Sequence, residues 1–101
     1  MFRVHAFTLV GCSDNCSSEW FMRWMDLPMA PTTGLKLAVP GQPDIVCGTV
    51  RYDPMTNICY VEDARIGVDM EIQTMQETID YMAARGWKHV ERVEARRMLG
   101  K

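Results

Sequence analysis

A chain of 101 residues, 48% hydrophobic and 24% charged, has the make-up of one globular domain over residues 1–101 with a modest core. Its formal charge of −2 supplies no field to gather nucleic acid or an anionic membrane, and no apolar run approaches the ~20 residues that span a bilayer. The opening residues do not read as an export signal, so the expected compartment is the cytoplasm, where four cysteines stay reduced.

"FRVHAFTLV", residues 2–10, is rich in β-branched and aromatic residues and reads as a strand that Gly11 ends. "GCSDNCSSEW" follows and sets Cys12 and Cys16 four apart. A structural zinc needs a second close pair of ligands. Cys47 and Cys59 are too widely separated to be one, and His5 and His89 stand alone. A thioredoxin-type centre uses C-x-x-C at a helix start, one residue shorter than the spacing here. The reading is therefore two loop cysteines without a shared role, and no metal. A reactive thiol at Cys16 is the competing idea, since a helix N-terminus would lower its pKa.

"SSEWFMRWMDLP" reads as a helix of two to three turns. Ser17 or Ser18 caps it, Glu19 suits the first turn, and Pro28 stops it. Trp20 with Trp24, and Phe21 with Met25, make two i,i+4 pairs that form a broad apolar stripe. "PMAPTTG" is a turn-rich connector. "LKLAV", "DIVCGTVRY" and "NICYVED" are three strands of an antiparallel meander, the last two joined by a turn that Asp53-Pro54 presets. Placing Tyr52 across from Asn57 puts Val46, Val50, Tyr52, Cys59 and Val61 on one face, and Cys47, Thr49, Arg51, Tyr60 and Glu62 on the other. A slip of one residue would bring Cys47 and Cys59 to the same side.

"RIGVDMEIQ" reads equally as sheet or loop. Thr74 and Glu77 then form a capping box that opens a helix over residues 75–85, with Met75, Ile79 and Met82 on one face and Gly86 as the left-handed stop. Trp87 is expected to fold back over that helix. The remainder reads as a strand over residues 87–93 with a polar tail, with a second helical piece as the alternative because Val90 and Val93 are spaced for a helix. The expected class is α+β: a single small domain, with a mainly antiparallel sheet of three to five strands and two helices packed on one face.

Little in this chain looks like chemistry. Asp53, Asp63, Asp69 and Glu71 fall in turns and strand ends, where acids are solvated. His5 and His89 lack a nearby nucleophile and would meet only if the first and last strands paired. No glycine loop cradles a phosphate. Arg92, Arg96, Arg97 and Lys101 alternate with Glu91 and Glu94 without an aromatic ladder, which disfavours nucleic acid. The nine methionines serve a loosely specified core or an adaptable binding surface. What remains is the aromatic set. Either Trp20, Phe21, Trp24 and Trp87 cap the sheet as core, or part of that face is left over; Trp20, Phe21, Trp24, Met25 and Trp87 are the expected binding residues, because so small an interior cannot fully enclose both indoles of one short helix. The expectation is a non-enzymatic binding domain that meets a protein partner or a second copy of itself through this helix face. An apolar small ligand is the other tenant considered, and no cofactor, catalytic residue or membrane is expected. The alternatives are a small enzyme, redox or metal protein using Cys16 or the Cys12/Cys16 pair, and a nucleic-acid contact through the basic tail.

Overall fold

The computed structural model describes residues 1–12, 17–39, 44–67 and 74–101. Its spine is β1 (Phe2–Cys12), which pairs antiparallel with β2 (Ser17–Leu27) from Phe2↔Leu27 to Cys12↔Ser17. On its other side β1 runs parallel to β5 (Ile58–Gly67). β4 (Ile45–Asp53) is antiparallel to β5, the two-residue β3 (Lys36–Leu37) is antiparallel to β4, and β6 (Lys88–Val90) is antiparallel to β2. The sheet therefore has six strands in the order β3-β4-β5-β1-β2-β6. It is mixed, because the chain leaves the β1–β2 hairpin and returns to the far side of β1. The expected three to five mainly antiparallel strands were too few.

The largest correction concerns residues 17–27, which form a strand where the spacing suggested a helix. A separation of four is an even number. Trp20 and Trp24, like Phe21 and Met25, therefore share a side in a strand as well as in a helix. The pairs that argued for a helix could not decide the matter. An eleven-residue β1 needs a partner along its whole length, and β2 supplies one for each residue. Trp and Phe also suit a pleated surface. Alternation then divides the expected cluster: Phe21 and Met25 point to one face, Trp20 and Trp24 to the other.

The β4–β5 hairpin closes through Pro54 to Asn57, with Asn57 at φ 58° and its N–H donating to the carbonyl of Asp53 at 2.8 Å. The register is Tyr52↔Cys59, Val50↔Val61 and Arg51↔Tyr60, two residues from the expected one, so the faces from Thr49 onward are unchanged. A bulge between Cys47 and Thr49 reverses the parity before it. Cys47 thus joins Cys59 in the core instead of the opposite face.

α1 (Met75–Ala84) begins at the expected cap, the Thr74 hydroxyl accepting the Glu77 N–H at 3.1 Å, while the Glu77 carboxylate makes no return bond to the Thr74 N–H among the described residues. It ends in a Schellman motif, where the Trp87 N–H donates to the Met82 carbonyl and the Gly86 N–H to that of Ala83, with Gly86 at φ +87°. Thr78 and Met82 are its buried residues, and Met75 is exposed. The chain after β6 is the second correction. Arg92–Met98 forms α2, where a polar tail was expected. Ala95 and Leu99, one turn apart, are buried beneath it.

The helices do not share a face. Met82 of α1 and Trp87 pack with Val4, Ala6, Val10, Phe21, Cys59 and Val61. Ala95 and Leu99 of the α2 segment pack with Phe7, Trp20 and Val90. The even residues of β1 look toward α1 and the odd ones toward α2, so the central strand is covered on both sides.

Candidate functional site

α2 is only seven residues long and shields part of its face of the sheet. Trp20 lies against Phe7 and Val90 in the α2 cluster and is 8% exposed. Four residues further along β2, Trp24 is 44% exposed. It stands across from His5, and the two rings stack at 3.9 Å with 12° between their planes. The Arg3 guanidinium lies 4.5 Å from the indole centroid. Tyr60 is 6.0 Å from the imidazole, and Arg51 lies 5.3 Å over the phenol ring while donating to the Met98 carbonyl at 3.1 Å. Period-two alternation thus sets Arg51, Tyr60, His5 and Trp24 in one row across β4, β5, β1 and β2, with Arg3 over Trp24.

His5 is 3% exposed, and burial, seconded by the positive charge of Arg3, pushes its pKa down to about 4. It is neutral at pH 7. Its Nε2 lies 3.0 Å from the Sδ of Met22. A thioether only accepts, so Nε2 carries the proton and donates it. The imidazole serves here as a fixed platform beneath the indole.

The edge of β2 is the second feature. β6 pairs with β2 only at residues 20–22. Among the described residues no strand pairs with the outer side of residues 23–27. In an antiparallel pair, every second residue turns its N–H and C=O away from its neighbour, so this stretch presents unused backbone groups. Beside it opens a cleft of about 290 Å³, lined by Arg23, Met25 and Leu27 from β2 and by Lys36, Leu37 and Val39 from the β3 segment. Asp26 and Ala38 complete the lining. β3 and β2 lie four places apart in the sheet order, so the sheet curls enough to bring them to the two sides of one opening.

Arg23 occupies that opening in an incomplete set of contacts. Its Nη1 donates to the Arg85 carbonyl at 3.3 Å, and its guanidinium lies 5.3 Å from the Trp87 ring. Its Nε is buried and has no acceptor among the described residues.

The expected binding residues are therefore dispersed. Trp20, Phe21 and Trp87 are core residues, at 8%, 0% and 4% exposure, and Met25 is half-buried at the cleft; Trp24 alone presents a large surface. The reasoning that two indoles exceed the interior holds for one of them. Arg3, Arg23, Lys36 and Tyr60 are not among the expected site residues, and His5 is weighed only as a base or metal ligand. Reading "FRVHAF" and "WFMRWM" with a period of two would have aligned Arg3 and His5 on one side and Arg23 with the core side.

The other candidates have structural partners. Asp63 accepts from the Val46 N–H at 3.1 Å and from the Thr8 hydroxyl at 3.3 Å, which ties the bulge to β1. Asp53 accepts from the Met55 N–H at 2.9 Å within its turn. Glu19 accepts from His89 Nε2 at 2.9 Å. The histidines stay apart, His5 facing Trp24 and His89 facing Phe21, with β2 between their strands. Burial pushes the Cys47 and Cys59 thiols up, Cys47 also by the charge of Asp63, so neither is an activated nucleophile. Asp69, Glu71, Cys16 and the side chain of Cys12 lie outside the described residues. Among the described residues, no group of three or more His, Cys, Asp or Glu is placed to hold a metal ion, and no helix is long and apolar enough to cross a membrane. Comparison with protein-family models, with curated proteins and with solved structures gives no match to this chain.

Proposed function

We propose that this protein is a small non-enzymatic binding domain that takes up a protein segment in extended conformation along residues 23–27 of β2. The observation that carries the reading is the coincidence of a strand edge that is unpaired among the described residues with Trp24, an exposed indole already held by His5 and Arg3. An unpaired edge supplies backbone hydrogen bonds to an added strand, and side-chain pockets supply its specificity. A ring that is stacked before binding loses little rotamer freedom when a partner covers it. Tryptophan is also among the residues that most often dominate binding energy. The buried, high-pKa thiols and the structurally engaged acids support a binding role over catalysis.

The test is selection of a displayed library of random heptapeptides on the purified protein. A consensus whose binding weakens at least about tenfold in Trp24→Ala is expected, because anchor residues of this type contribute ~1.4 kcal/mol or more. Recovery of no consensus, or of one indifferent to Trp24→Ala, refutes the proposal. Light scattering over a concentration series shows whether a second copy of the chain occupies the edge.

A further inference from the structure

We infer that the cleft beside β2 recognises an acidic side chain on the extended segment, and that Arg23 is the residue that reads it. This rests on the binding function proposed above and deepens it by assigning the chemistry of the occupant.

Nη1 of Arg23 is committed to the Arg85 carbonyl. The group without an acceptor is Nε, whose N–H lies parallel to one N–H of Nη2. Those two donors form the edge that grips a carboxylate with two parallel hydrogen bonds. A buried charged donor without a partner is costly, and native proteins leave few of them. A ligand acceptor accounts for this one. Arg85 and Trp87 hold the guanidinium in place, so the fork is oriented before anything binds.

Charge in the cleft agrees. Lys36 stands exposed at the rim of the opening with no ion pair among the described residues, alternation along β3 turning it away from Leu37 and Val39. Asp26 also lines the opening, but alternation along β2 turns its side chain to the Trp24 face, away from Arg23, Met25 and Leu27. The cleft side of the strand is thus cationic over an apolar floor. Met25 and Leu27 follow Arg23 at two-residue steps, and Leu37 and Val39 stand two residues apart on the other side of the opening. A strand laid between them places alternate side chains inward. The matching segment has an acidic residue at one end and apolar residues two and four positions away from it.

The heptapeptide selection tests this separately from the parent proposal. The expected winners carry Asp or Glu at one fixed position with apolar residues at the next two alternate positions. Changing that Glu to Gln in a synthetic winner weakens binding at least about tenfold, and Arg23→Met abolishes the difference between the two peptides. Arg23→Lys keeps the charge without the fork and restores part of it. Peptide binding also slows amide hydrogen exchange at residues 23–27. Winners that require Trp24 but show no acidic position, or whose acid preference survives Arg23→Met, overturn this inference and leave the binding function standing. Failure to recover any consensus overturns both.

Discussion

Acidification offers a direct test of how His5 is held. Its pKa falls from 6.5 to about 4 because burial strips water from the imidazolium and Arg3 repels it. Stacking on Trp24 works the other way, since an indole face attracts a cation, but the burial effect prevails. The gap between 6.5 and about 4 corresponds to about 3 kcal/mol between the neutral and protonated ring. Between those pH values the unfolded chain binds a proton that the folded chain refuses, so stability falls as pH falls through the window and levels off beneath it. Urea unfolding of the wild type and of His5→Gln, measured from pH 7.5 to 3.5, isolates this contribution, because the carboxylates are common to both proteins. The difference in unfolding free energy between them is expected to shift by about 3 kcal/mol against the wild type across the window. NMR of the imidazole should show it neutral at pH 5.5. Parallel stability curves, or a titration near 6.5, would refute the account of the His5–Trp24 platform.

Trp20→Ala should cost about 3–5 kcal/mol and Trp24→Ala no more than about 1–2 kcal/mol in chemical denaturation, because the first leaves a cavity under α2 and the second removes a ring that is already 44% exposed. Equal costs would restore the single apolar stripe expected of a helix. Gly48→Ala should destabilise the fold by about 1–3 kcal/mol in thermal unfolding, since a Cβ there would meet the Ala64 Cβ at 2.8 Å and its Cα at 3.0 Å inside the bulge. Thr74→Ala removes the acceptor of the Glu77 N–H and should cost about 1 kcal/mol by the same measurement.

How much of the molecule was legible depended on the range of the interactions that decide each element. The Thr74 cap, the Gly86 stop and the Asp53-Pro54 turn are settled within a few residues, so they stood in the sequence as they stand in the structure. β1, β4 and β5 announced themselves by β-branched and aromatic content, and the faces from Thr49 onward followed from alternation. Residues 17–27 did not, because a spacing of four has the same parity in a helix and a strand. There the deciding term is the hydrogen-bonding demand of β1, which no local pattern contains. The bulge at Gly48 and the α2 segment were likewise settled by contact with Ala64 and by the need to cover Phe7 and Trp20.

The site divides along the same line. Sequence alone established that the chain carries little recognisable chemistry and sets Trp20 and Trp24 four residues apart beside a modest core. Tertiary structure alone decided which tryptophan is left over. It set Trp20 under α2 and Trp24 beyond the helix's reach, stacked His5 against Trp24, and ended β6 so that residues 23–27 have no strand on their outer side among the described residues. The physical reason is that exposure and strand pairing are properties of what lies across the sheet. Residues far apart in the chain supply that, and a linear pattern cannot encode their distance.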